Sequence, residues 1–154
     1  MKAEDDILIV DDEIPNLKLL TGLLEREGYV VRPAEMPQMA IDSALAKPPL
    51  LILLDIRMPD MDGYEVCRRL HQDERTCDIP IIFISSLHDG EDLVLGFEAG
   101  CVDFISKPFQ EQEVLARVRT HTRLRRMQLD LGRLVDERTS ELGEIQERYE
   151  LAVA

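Results

Sequence analysis

Five short strand-like runs punctuate the first two thirds of this chain: Ile7–Val10, Val30–Ala34, Leu50–Leu54, Ile81–Ile84 and Asp103–Ser106. Three of them are continuously apolar rather than alternating, the pattern of strands covered on both faces, and each is too short to be a helix. Between them lie amphipathic stretches, Pro15–Glu27, Pro37–Ala46, Tyr64–Gln72 and Asp89–Ala99, and a last one begins near Gln110. Strand and helix in strict alternation predict an α/β fold, a doubly wound five-stranded parallel sheet with helices on both sides. Gly28 and Gly100 fall just after helical segments, where a C-terminal cap belongs, and Gly63 falls where the loop after the third strand must turn.

A parallel sheet gathers the carboxyl ends of its strands along one edge, and those ends carry the polar residues here. Asp11 and Asp12 close the first strand, Asp55 closes the third, Ser85 follows the fourth, and Lys107-Pro108 follows the fifth. Three carboxylates in one crevice repel and raise one another's pKa, and a hard, oxygen-seeking cation such as Mg²⁺ (or Mn²⁺) relieves that crowding. An aspartate, a metal cluster, a hydroxyl and a fixed ammonium are the groups that phosphoryl transfer onto a carboxylate needs. Each has a plainer reading as well: an Asp-Asp pair can cap a helix, a serine can form a turn, and a lysine before proline can be an exposed loop residue.

The order Asp-Asp, Asp, Ser, Lys-Pro resembles the receiver domain of bacterial two-component response regulators, over residues from about Asp6 to Arg123. Two blocks carry the resemblance, Leu54-Asp55-Ile56-Arg57-Met58-Pro59-Asp60-Met61-Asp62-Gly63 and Phe104-Ile105-Ser106-Lys107-Pro108-Phe109. It implies a flavodoxin-like strand order 2-1-3-4-5, with Asp55 as the phosphoacceptor and Asp11, Asp12, Asp55 and the backbone carbonyl of Arg57 as metal ligands. It makes Lys107 the phosphate-pairing cation that acts catalytically with Asp55, Ser85 the phosphoryl-sensing hydroxyl, and Phe104 the switch aromatic that turns inward. As an aromatic in a strand, Phe104 also reads simply as core. The implied partner is a cognate histidine kinase or phosphotransfer protein. By the same resemblance, Arg57 and Leu87 are expected to lie where water would reach the acyl phosphate. Leu50 and Pro37 stand where many receivers have an aspartate and a glycine.

Beyond the sheet the pattern changes. From Gln110 to Ala154 there is no proline, so the last helix is expected to run on, reaching on the order of 70 Å at 1.5 Å per residue. Leu124, Met127, Leu131, Val135, Arg138, Leu142, Ile145, Tyr149 and Ala152 follow one another at steps of three and four, with a stutter at Met127–Leu131–Val135 and a polar intruder at Arg138. Gly132 and Gly143 each cost about 1 kcal/mol of helix propensity relative to alanine, so a partner helix is expected. The sequence therefore divides into a receiver domain over residues 1–123 and a coiled-coil linker over residues 124–154. The linker is read as dimerising in parallel and leading to an output domain beyond residue 154. Glu137–Leu142 resembles linkers that join receivers to output domains.

Charge narrows the alternatives. Residues 1–109 hold 22 acidic and 10 basic side chains, and residues 110–154 hold 9 and 8. An anionic body with a nearly neutral tail lacks the basic face of a nucleic-acid reader. No apolar run approaches the roughly 18 residues of a membrane span, and no signal-peptide pattern opens the chain, so a cytoplasmic protein without membrane insertion is expected. Cys67, Cys77 and Cys101 are odd in number and lack metal-ligand spacing, as reduced thiols would be. His71, His88 and His121 are scattered and read as surface residues. A phosphatase with an aspartyl-phosphate intermediate is the rival enzyme, but its nucleophile would sit on the first strand with an acid two residues on. Here Asp55 is on the third, followed at that spacing by Arg57, so a signalling module rather than an enzyme is expected. A pseudo-receiver is disfavoured by the intact acidic set and Lys107. A kinase within the chain is disfavoured by the lack of a His-Glu box or nucleotide-binding glycine motif.

Overall fold

The computed structural model describes residues 6–86 and 90–153. Strands β1 (Asp6–Val10), β2 (Val30–Ala34), β3 (Leu51–Asp55), β4 (Ile81–Ser85) and β5 (Asp103–Ser106) alternate with helices α1 (Ile14–Arg26), α2 (Pro37–Ala46), α3 (Gly63–His71), α4 (Gly90–Ala99) and α5 (Glu111–Val153). The strands form one parallel sheet in the order β2-β1-β3-β4-β5.

Alternation along the strands divides the core. Leu8, Val10, Ile52, Leu54 and Phe83 face α2 and α3, where Ala40, Ala44, Val66 and Leu70 complete one cluster. Ile7, Ile9, Leu51, Leu53, Ile82, Ile84 and Ile105 face the other way, onto Leu17, Leu20 and Leu24 of α1 and Val114 and Val118 of α5. Every residue of β1, β3 and β4 is buried, which is why these strands read as unbroken apolar runs. β2 lies at an edge, carries Pro33, and leaves Val30 exposed, as an edge strand can.

Local chemistry sets the element ends. Pro37 occupies the first turn of α2, where its missing N–H costs nothing, so its departure from the usual glycine suits the fold. Gly28 and Gly100 take φ of 92° and 108° after α1 and α4, a backbone that favours glycine. Gly63 corrects the sequence reading: it begins α3 rather than turning the preceding loop, and Asp62 caps the helix by accepting a hydrogen bond from the Glu65 N–H at 2.9 Å.

Two histidines also correct it. His71 is half-buried, with Nδ1 3.1 Å from the Ala99 carbonyl. His121 is half-buried with Nε2 3.0 Å from Asp103, which also receives a two-fold bond from Arg117 at 2.7 and 2.9 Å. This clamp ties α5 to the start of β5. Burial works against the Asp103 carboxylate, but the bonds from His121, the Phe104 N–H and Arg117 outweigh it and hold its pKa below the usual range. His88 lies outside the described residues.

α5 has two regimes. Val114, Val118 and Thr122, four residues apart, form its buried stripe, and Thr122 meets Tyr29 at 3.5 Å. From Met127 to Ala152 every residue is exposed. No helix among the described residues is long and apolar enough to cross a membrane.

Candidate phosphoacceptor site

Register builds the site. Val10 pairs with Leu54, so Asp11 and Asp55, one residue further on, lie side by side on adjacent strands. Asp55 pairs with Ile84 and Ser85 with Ser106, which sets the last residues of β3, β4 and β5 in a row with Lys107 just beyond. Asp11 is fully buried, and Asp55 and Ser85 are 4% exposed. The Lys107 N–H donates to the Ser85 carbonyl at 2.9 Å, and the Lys107-Pro108 peptide is cis.

Carboxylate oxygens of Asp11, Asp12 and Asp55 lie within 4.8 Å of one another. The Lys107 ammonium bridges two of these residues, 3.3 Å from Asp11 Oδ2 and 3.4 Å from Asp55 Oδ1. Asp11 Oδ1 is committed to the Glu13 N–H at 2.9 Å. Asp11 Oδ2 is buried with that ion pair but no hydrogen bond of good geometry. A buried anionic oxygen in this condition, amid an all-oxygen donor set, fits a hard divalent cation. The structure thus brings Asp11, Asp12, Asp55 and Lys107 to one point, with Ser85 at the neighbouring strand end.

The electrostatics reflect the crowding. Burial, then the charge of Asp11, pushes the Asp55 carboxyl up to about 7, against the pull of Lys107. Burial disfavours the Lys107 ammonium, but Asp55 and Asp11 outweigh it and raise its pKa, so it stays charged. A second cation at this cluster would oppose both causes and favour the ionised carboxylate.

The mouth of the site is a groove of about 560 Å³ lined by Asp12, Ile56, Arg57, Met58, Pro59, Asp62 and Tyr64. Its wall depends on Gly63. The Gly63 N–H donates to the Ile56 carbonyl at 2.8 Å, and a Cβ on Gly63 would lie 2.5 Å from the Asp55 carbonyl oxygen. The first turn of α3 can abut the end of β3 only without a side chain there. Arg57 is exposed on this groove, and Leu87 lies outside the described residues.

Phe104, half-buried, packs edge-on to Phe83 and to Phe97, each with ring centroids 5.7 Å away, and Phe83 in turn meets Tyr64 at 5.4 Å. The ring therefore faces inward, toward β4 and α4. This run of rings, the Asp103–Arg117–His121 clamp and the ion pair of buried Asp6 with Arg32 at 2.9 Å have no sequence-local mark.

Known proteins can be set beside this geometry. The chain is 42% identical over 113 residues to the DNA-binding dual master transcriptional regulator RpaA of Synechocystis, covering 73% of this chain and 47% of that protein. It is 41% identical over 119 residues to the response regulator PleD of Caulobacter vibrioides, covering 77% of this chain and 26% of that protein. The chain thus spans about half or less of the length of these curated relatives. Among solved structures, the receiver domain of a Pseudomonas aeruginosa sensor histidine kinase, with a magnesium ion coordinated in its active-site cleft, superposes with a TM-score of 0.72. It is 28% identical, and the match covers 78% of this chain and 98% of that one. The family model for the response regulator receiver domain matches residues 7–119, from the first strand into the docked first turns of α5, and the chain belongs to that family.

Proposed function

We propose that Asp55 accepts a phosphoryl group from a phosphohistidine on a histidine kinase or phosphotransfer protein, and that the change is relayed along α5. The observation that carries this reading is the trio of carboxylates within 4.8 Å, two of them bridged by Lys107, at the carboxyl edge of a receiver sheet. An Asp55 oxygen attacks the phosphorus, the P–N bond breaks, and its electron pair returns to the imidazole, which takes up a proton. Asp11, Asp12, Asp55 and the Arg57 carbonyl are the groups to hold Mg²⁺, which when bound neutralises the attacking carboxylate and the transferring phosphoryl oxygens. Lys107, already 3.4 Å from Asp55, pairs with the charge that arrives. Ser85 offers a hydroxyl to a phosphoryl oxygen, and Phe104 follows it as the switch aromatic.

Residues 1–123 act as the receiver and 124–154 as a linker, a division supported by the loss of burial in α5 after Thr122. The exposed stripe from Leu124 to Ala152 pairs with a second copy in parallel, and the helix leads to an output domain of the kind that the greater length of its relatives allows. Mass spectrometry after incubation with acetyl phosphate tests the chemistry. One phosphoryl mass is expected with Mg²⁺, and none with excess chelator or in Asp55→Asn. Labelling of Asp55→Asn at the wild-type rate would end the assignment.

A further inference from the structure

α4 is seated on the sheet through its smallest residues. Among its described side chains only Gly96 and Ala99 are buried, while Leu93, Val94, Leu95 and Phe97 are 41–55% exposed. What lies beneath explains the choice. The Phe104 ring sits directly against the Gly96 backbone, so closely that a methyl group there would collide with the ring's far edge and come within 3.0 Å of Phe83. One residue on, exposed Phe97 touches the same ring from the outer side, centroids 5.7 Å apart.

The helix end nearest this contact is pinned by other means. The Ala99 carbonyl accepts from the Cys67 thiol at 3.2 Å and lies 3.1 Å from His71 Nδ1. The Gly96 carbonyl accepts from the Gly100 and Cys101 N–H groups at 3.1 and 3.0 Å. The notch therefore lies within one turn of a fixed point, where a small displacement at the ring becomes a larger one at the far end of the helix.

We infer that Gly96 is a positioning residue for the response of α4: it forms the notch that admits the Phe104 ring, so the inward ring and the seated helix are one conformational state. Withdrawing the ring leaves a void under Gly96 and removes the inner neighbour of Phe97, and the helix, held at its last turn, repacks about that turn. Phe97 thereby carries the position of a buried strand residue to the molecular surface. The link to signalling rests on the phosphoacceptor reading above; the packing claim does not.

A stability cycle tests the notch. Glycine to alanine inside a helix ordinarily stabilises through propensity, so a collision is revealed by the opposite sign. Gly96→Ala is expected to lower the melting temperature of the full chain by a few degrees, yet to raise it in a Phe104→Ala background, where the notch is open. A rise in both backgrounds overturns the proposal. If Gly96→Ala alone does not fold, the double variant is still compared with Phe104→Ala, and a failure to exceed it is equally decisive.

Amide exchange without any phosphoryl mimic gives a second readout. Gly96→Ala is expected to speed exchange over residues 93–99 while β1 and β3 stay protected, and unchanged exchange in α4 would refute the coupling of ring and helix. Because neither measurement involves phosphate, a chain that shows the reversed sign but takes no label at Asp55 retires the phosphoacceptor reading and keeps the notch. A chain that labels normally without the reversal does the converse.

Discussion

Asp55 must be ionised to attack phosphorus or bind a cation, yet its surroundings favour the proton. Burial first, and Asp11 second, raise its pKa from 3.8 to about 7. A carboxyl raised in this way contributes stability that is complete below its unfolded value and is lost as pH rises through the folded one. The metal-free protein is therefore expected to melt lower at about pH 8 than at about pH 6, and Mg²⁺ to bind more tightly at the higher pH because it no longer displaces a proton. Asp55→Asn should remove that part of both slopes. Thermal melts in chelator and calorimetric Mg²⁺ titrations over this range are the check, and identical pH slopes in wild type and Asp55→Asn would contradict the assignment of this titration. The carboxylates were legible in the sequence because they cluster at the ends of apolar runs, and a parallel sheet collects such positions. The histidines were not. His71 finds its partner at Ala99 and His121 at Asp103, pairings across elements that leave no periodic trace.

At the scale of elements, the runs and amphipathic stretches gave all ten segments to within a residue or two, because burial on both faces imposes patterns that a linear reading detects. Gly63 was misread for a physical reason: its role depends on how near β3 lies to the start of α3, a tertiary distance. That distance makes a prediction. Gly63→Ala would place a methyl 2.5 Å from the Asp55 carbonyl and 2.9 Å from Ile56 Cα, both backbone atoms that cannot swing aside. Despite alanine's better helix propensity, a loss of about 1–3 kcal/mol in urea unfolding is expected. Weaker Mg²⁺ binding should accompany it, as the loop carrying Arg57 is pushed out. Unchanged stability and unchanged Mg²⁺ affinity together would mean that the α3 start is not coupled to the site. α4 was legible as a helix but not as one docked through Gly96 and Ala99, since its apolar residues suggest a buried face that the fold leaves exposed.

For the whole molecule, the governing fact is a 43-residue helix of which little more than the first third touches the body. Leu131, Val135, Leu142, Ile145 and Tyr149 are 54–67% exposed along it, and Leu134, 49% exposed beside the stutter, widens the stripe where two four-residue steps make it drift. A lone helix with this much apolar surface and two internal glycines is marginal in water, and a second copy removes both problems. Arg138 pairs along its own helix with Glu141 at 3.6 Å and would leave a seam between two copies locally weak. Arg138→Leu is therefore expected to tighten association several-fold, and Leu131→Asp with Leu142→Asp to yield monomers without loss of the folded receiver. Sedimentation of the three proteins, unphosphorylated, at tens of micromolar is the measurement. A monomeric wild type, or a double Asp variant that still dimerises, would move the contact between copies off this helix and onto the globular body.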